Sequence, residues 1–164
     1  MAGEARTDVN RLGQALIAHA RDAIAASLGL AAARDAAPDH EALAEPAATF
    51  VTLRRQGELR GCIGTLTAHR TLREDVRAHA VAAAFDDPRF APLDATEFED
   101  LEIEVSLLTP SEPLQVASEE EAHAALQPGV DGVLLEWRSA RATFLPQVWE
   151  QLPDAAQFLR ALRR

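Results

Sequence analysis

The chain has 164 residues, of which 48% are hydrophobic and 26% charged, and its formal net charge is −10. This length suits about one globular domain with a buried core. The acidic balance argues against a general affinity for nucleic acid or for anionic membranes, since both need a basic surface. The chain has a single cysteine and no apolar run that could span a bilayer, so we expect a cytoplasmic protein without an internal disulfide.

The N-terminal region is predicted to be a helix followed by a loop. Apolar residues recur every four positions over residues 7–29, which predicts an amphipathic helix with Thr7 or Asp8 as its N-cap. Residues 31–47 are rich in alanine and punctuated by proline, which is typical of a connection without regular structure.

The next segment predicts a β-hairpin followed by a helix. Residues 49–55 favour a strand, and Gln56–Gly57 is a plausible turn into a second strand. Thr71 and Glu74 have the spacing of a capping box, so we expect a helix to begin there and to end before Pro88.

The remainder of the chain predicts a mixture of strands and helices. Residues 101–108 alternate apolar and polar side chains, which predicts a strand with one buried face. A short helix capped by Ser118, a second hairpin with its turn within 138–141, and a C-terminal helix over 154–163 follow. The order lacks a regular βαβ alternation and has no GxGxxG motif, so we predict an α+β fold with antiparallel sheets and packed helices.

The lone cysteine lies in the sequence LRGCIG, residues 59–64. If this stretch is an extended strand, a period of two places Arg60, Cys62 and Gly64 on one face. The opposite face then carries Leu59, Gly61 and Ile63. A neighbouring guanidinium favours the thiolate form of cysteine, and a glycine within a strand often marks a close approach by another group. The motif therefore predicts either a binding surface or a reactive thiol.

Other interpretations of these residues stay open. A free cysteine usually packs as a small apolar group, and Cys62 could fill a gap beside two flexible glycines. Nucleophilic catalysis needs a base, and His69 and His79 are the nearest histidines in sequence, although a structural role suits His79 as well. Arg89 could bind an anion, but ion pairing within its own turn also explains it.

No metal site or cofactor is predicted from the sequence. The five histidines are scattered, and none belongs to a CxxC, HxxxH or HExxH element. Glu102 and Glu104 share one face of a predicted strand, where a solvated sheet surface accounts for them.

The sequence LRGCIGTL resembles the signature of the AMMECR domain family. Four further blocks resemble family blocks in the same order: FDDPRFAPL at 85–93, LEIEVSLLTP at 101–110, PGVDGVLLE at 128–136 and ATFLPQVWEQLP at 142–153. The resemblance runs from about residue 49 onward, and the N-terminal helix has a counterpart too. On this basis residues 1–164 are identified as one AMMECR-like domain, similar to the short bacterial members.

The resemblance implies two unequal α+β subdomains, with the LRGCIG side chains pointing into a cleft between them. The short bacterial members are described as protein A of a system that also contains a Memo-like protein and a radical-SAM protein, which implies partners of those classes. The activity of the family is unsettled, so we expect a binding or accessory module whose cleft holds a protein or another large substrate. The alternative is a thiol-dependent enzyme with Cys62 as nucleophile, Arg60 as thiolate partner and His69 or His79 as base.

Overall fold

A computed structural model describes residues 2–31, 37–138 and 140–163 of the chain. The chain divides into two compact units, Met1–Pro110 and Ser111–Arg164. Each unit is built around its own cluster of buried hydrophobic side chains. No helix in the described part of the chain combines the length and hydrophobicity needed to cross a bilayer.

The first unit is a three-stranded antiparallel sheet with helices packed on one face. Its strands, in the spatial order β2-β1-β3, are β1 (Ala48–Arg55), β2 (Glu58–Gly64) and β3 (Leu101–Leu108). Its helices are α1 (Ala2–Ser27) and α2 (Leu72–Phe85), together with the short 3-10 helices Glu41–Ala44 and Ala95–Asp100.

The second unit is a β-hairpin packed with two short helices. Its elements are α3 (Glu119–Ala125), β4 (Val133–Trp137), β5 (Ala140–Phe144), the 3-10 helix Pro146–Glu150 and α4 (Ala155–Leu162). Its core centres on Phe158, whose ring is stacked on Trp149 at a centroid distance of 3.8 Å and meets Phe144 edge-on at 5.2 Å.

The predicted α+β class with antiparallel sheets is therefore confirmed. Two local predictions also match: the turn at Gln56–Gly57 has positive φ at both residues, and Thr71 and Glu74 form a complete capping box. The cleft between two subdomains stays a prediction.

The predicted start of the first helix is wrong. The helix begins at Ala2 and runs through Thr7 and Asp8. Asp8 is not a cap; its carboxylate instead contacts His40 Nε2 at 3.1 Å, in the connection that follows the helix. Within the predicted loop 31–47, residues 41–44 form a 3-10 helix, and residues 32–36 lie outside the described part of the chain.

The sheet of the first unit has two chemically distinct faces. The face toward α2 carries Val51 and Leu53, which are both fully buried. The opposite face, called the outer face from this point, carries the alternate residues of each strand. These are Phe50, Thr52, Arg54, Cys62, Gly64, Glu102, Glu104 and Ser106. The polar alternation predicted for β3 is thus present, with both glutamates exposed.

Gly61 is where strand β2 lies closest to helix α2. A Cβ atom at this position would overlap the backbone carbonyl oxygen of Ala83, near the C-terminal end of the helix. Only glycine allows this approach, because a carbonyl group within a helix cannot rotate away as a flexible side chain would.

We expect Gly61→Ala to destabilise the protein by about 1–3 kcal/mol, because the added methyl group must push the strand off the helix. Chemical denaturation measures the loss. Gly13→Ala in α1 is the matched control, since a Cβ there meets nothing within 4 Å, and we expect a gain of up to about 1 kcal/mol. An unchanged midpoint for Gly61→Ala would refute the close approach.

Candidate functional site

Strand β2 contains a β-bulge next to the cysteine. Leu53 of β1 pairs with Gly61, but the following residue Arg54 pairs with Leu59, so Arg60 is an extra residue with no partner of its own across the ladder. The bulge interrupts the period of two on which the shared face of Arg60 and Cys62 was predicted. Arg60 and Cys62 bond to different groups, and their shared face stays a prediction.

Arg60 is bound by the carboxylate of Glu97. Its Nε and Nη2 atoms donate to Oε1 and Oε2 at 3.0 and 2.9 Å, which is the bidentate geometry of a strong ion pair. Arg55, on the α2 side of the sheet beyond Leu53, donates to the same carboxylate at 3.2 Å. Glu97 therefore ties the end of the β1–β2 hairpin to the 3-10 helix before β3.

Cys62 lies half-buried on the outer face, opposite Thr52. The Thr52 hydroxyl donates a hydrogen bond to Cys62 Sγ at 3.3 Å. Glu104 pairs with Thr52 from the other side, so the three residues form one row across the sheet. The sulfur is thus held beside polar groups and is not sealed among aliphatic side chains.

Asp87 and Arg89 clamp the backbone of Cys62. Asp87 accepts the Cys62 N–H at 2.8 Å, and Arg89 Nη2 donates to the Cys62 carbonyl oxygen at 3.3 Å. The two side chains also bond each other, with Asp87 accepting from Arg89 Nε at 2.9 Å and Nη2 at 2.7 Å. Together they occupy the free edge of β2 where a further strand would pair.

The electrostatics of the clamp favour its charged state. Hydrogen bonds from the Arg89 side chain hold the pKa of Asp87 well below its usual range, with the Cys62 amide contributing. Hydrogen bonding to Asp87 raises the pKa of Arg89, and a smaller contribution comes from Cys62. Asp87 is only 4% exposed, whereas half of the Arg89 side chain reaches solvent. Arg89 therefore presents an accessible guanidinium next to the Cys62 backbone.

The two histidines considered as bases do not join Cys62. His79 is buried on the α2 side of the sheet, with Nδ1 at 3.0 Å from Asp75 Oδ2 and 3.3 Å from the Thr49 hydroxyl. Burial lowers the pKa of His79, although Asp75 acts in the opposite direction. His69 is exposed in the segment between β2 and α2, and no hydrogen bond joins it to the described part of the chain.

Of the predicted site residues, the structure brings Cys62 and Arg89 together, while Leu59, Arg60, Gly61, Ile63 and Gly64 shape the strand that holds them. Thr52 and Glu97 were missed from the sequence as partners. The ion pairing of Arg89 within its own turn is confirmed by its contact with Asp87, but the contact of Asp87 with the Cys62 backbone was missed. Thr52 could be found only from the strand register, which the bulge shifts. Among the described residues, no group of three His, Cys, Asp or Glu side chains is placed to bind a metal ion.

The fold and site define an α+β protein with a bulged, clamped Gly-Cys edge strand. The AMMECR1 family pattern matches residues 17–164, and the chain belongs to that family. The crystal structure of the uncharacterized protein PH0010 from Pyrococcus horikoshii is similar, with a TM-score of 0.80 and 34% identity. That similarity covers 92% of this chain and 77% of the other.

Two relatives illustrate the extent of the similarity. A protein of Methanothermobacter thermautotrophicus is 43% identical over 111 residues, which cover 67% of this chain and 58% of the relative. Protein MK0488 of Methanopyrus kandleri is 35% identical over 148 residues, or 85% of this chain and 72% of the relative. The match to the Methanothermobacter protein thus spans less than two thirds of that relative's length.

We expect Asp87→Asn to destabilise the protein by about 1.5–3 kcal/mol, because an amide cannot replace the carboxylate that binds both Arg89 and the Cys62 N–H. Hydrogen exchange of the Cys62 amide should accelerate. Asp86→Asn, at the exposed neighbouring position, serves as the control and should leave both readouts unchanged. Equal effects of the two substitutions would contradict the clamp.

We expect the Arg60–Glu97 pair to govern part of the acid stability. Hydrogen bonds from Arg60 lower the pKa of Glu97 from 4.5 to about 2. A carboxyl group whose pKa falls on folding contributes stability above its unfolded pKa and loses that contribution as the pH falls toward its folded pKa. Stability should therefore drop between about pH 4.5 and 2 in the wild type.

In Glu97→Gln that drop should be smaller, while stability at neutral pH should be about 1–3 kcal/mol lower. Urea unfolding across the acid range measures both effects. If the stability of Glu97→Gln fell with pH as much as that of the wild type, protonation of Glu97 would not be a cause of the acid-dependent loss of stability. Glu99→Gln, at an exposed position of the same 3-10 helix, controls for the loss of one carboxylate.

Proposed function

We propose that this protein is a binding or accessory module that uses the outer face around Cys62, together with Arg89 at the adjoining edge of β2, to hold a partner protein segment or another large substrate. The observation that carries the proposal is that an exposed guanidinium and a buried carboxylate fix the backbone of the residue that carries the half-buried thiol. This part of the surface offers an accessible guanidinium, a polarisable sulfur and a rigid support, all of which suit recognition.

The thiol-enzyme alternative has less support. A nucleophilic cysteine needs a base within hydrogen-bond reach, and the hydrogen bond to Cys62 Sγ within the described residues comes from the Thr52 hydroxyl. Arg60, the expected thiolate partner, is bound to Glu97 instead. Arg89 takes its place beside Cys62, so an activated thiol remains the second candidate.

The Memo-like and radical-SAM classes are the partners that the family resemblance implies, and they belong to this proposal. A cleft that holds the substrate next to the motif belongs to it as well. A module without chemistry of its own would present a bound segment to such enzymes. Arg89 would bind an anionic group of that segment, and Cys62 would contact an apolar or polarisable group.

The experiment compares wild type, Cys62→Ser and Arg89→Gln for binding to the purified Memo-like and radical-SAM proteins of the same organism. We expect Arg89→Gln to weaken binding by about tenfold, because it removes the exposed charge, and Cys62→Ser to weaken it by less. Isothermal calorimetry gives the affinities. Arg138→Gln, which removes an exposed arginine in the second unit, is the matched control.

Two results would count against the proposal. Affinities unchanged by both Cys62→Ser and Arg89→Gln would show that this surface does not take part in partner recognition. The second result is that Cys62→Ser still binds its partner but loses a partner-dependent reaction. If no variant without the thiol restores that reaction, the enzyme alternative is favoured. Thr52→Val provides a further check, because it removes the hydroxyl donor and leaves the thiol in place.

A further inference from the structure

The sheet of the first unit has two edges, and they differ in how their backbone groups are satisfied. At the β2 edge, the outward N–H and C=O of Cys62 are bound by Asp87 and Arg89. At the β3 edge, the outward groups of Leu101 are also bound: its N–H donates to Phe98 and its C=O accepts from Arg21 Nη2 at 2.8 Å. The rest of the β3 edge is different.

In an antiparallel strand, the backbone groups of alternate residues point to the same side. Because Leu101 directs its groups outward, Ile103, Val105 and Leu107 must direct theirs outward too, while Glu102 and Glu104 bond to β1. No hydrogen bond satisfies the outward groups of these three residues within the described part of the chain. They therefore form a free edge, defined as Ile103, Val105 and Leu107.

The side chains along this edge specify what could pair with it. Ile103 and Val105 are half-buried and Leu107 is 42% exposed, all on the α2 side of the sheet. Glu102 and Glu104 are exposed on the outer face. A strand added here would place apolar side chains beside the first set and would gain most from basic side chains beside the second. The net charge of −10 adds to this preference.

We propose that the free edge of β3 binds an extended segment of a partner protein in which apolar and basic residues alternate, adding a fourth strand to the sheet. The main-chain hydrogen bonds supply affinity, and the alternation supplies selectivity. This site is on the opposite edge of the sheet from Cys62, and it stands independently of the function proposed for the outer face.

The test uses the full-length protein and a short capped peptide that alternates valine and arginine. Hydrogen exchange followed by NMR should show fast exchange for the amides of Ile103, Val105 and Leu107 in the free protein, and slow exchange for those of Glu102 and Glu104. Saturating peptide should protect the first three amides selectively. A peptide of alternating valine and glutamate should not protect them.

Glu102→Lys should lower the affinity for the valine–arginine peptide by about fivefold, because one cross-strand attraction becomes a repulsion. Glu58→Lys is the matched control, since it makes the same charge change at an exposed position on the other edge strand, and its affinity should equal that of wild type. Slow exchange of the Glu104 amide in both variants reports that the sheet is intact.

Three results would overturn the proposal. The first is peptide binding without protection at Ile103, Val105 and Leu107. The second is an equal loss of affinity in Glu102→Lys and Glu58→Lys, which would indicate attraction to net charge alone. The third is protection of the same amides in the free protein, which would mean that a second copy or another part of the chain already covers the edge.

Discussion

At Gly61, strand β2 lies so close to helix α2 that a methyl group would overlap the carbonyl oxygen of Ala83. This approach fixes where the helix ends relative to the strand. Since α2 ends at Phe85, the next residues lie alongside the β2 edge of the sheet, and Asp87 accepts a hydrogen bond from the Cys62 amide. A larger residue at position 61 would move the strand away from the turn that binds it.

Ion pairing around the motif is local and nearly complete, although the chain as a whole is strongly acidic. Glu97 of the 3-10 helix binds Arg60 and Arg55 of the hairpin, and Asp87 binds Arg89 within the turn that follows α2. Through these bonds, the carboxylates and arginines hold the hairpin end and the Cys62 backbone in place. Half of the Arg89 side chain stays accessible next to the half-buried Cys62, and neither histidine considered as a base joins the sulfur, which favours recognition over acid–base chemistry.

Patterns with a local physical cause were predictable from the sequence. The alternation of residues 101–108, the capping box at Thr71 and the turn at Gln56–Gly57 are each determined by neighbouring residues, and each is present in the structure. The start of α1 was missed because Thr7 and Asp8 are residue types that often cap helices. The helix instead continues upstream of them to Ala2.

The site was less predictable, because one inserted residue changes which groups meet. A two-residue turn at Gln56–Gly57 places Thr52 opposite Gly61 if the pairing is regular, whereas the bulge at Arg60 moves Thr52 opposite Cys62. The same bulge interrupts the alternation from which a shared face for Arg60 and Cys62 was predicted. Glycine next to arginine suggested a bend, but only tertiary contacts with Glu97 and Ala83 determine where the extra residue is accommodated.

The cysteine is unique in the chain, and its peptide groups are anchored on both sides by the turn that follows α2. A nitroxide or a fluorophore attached to the sulfur would therefore have a single, well-defined origin, with little backbone motion to blur its signal. Such a reporter would sense the arrival of any molecule on this side of the sheet, including one whose identity is unknown in advance.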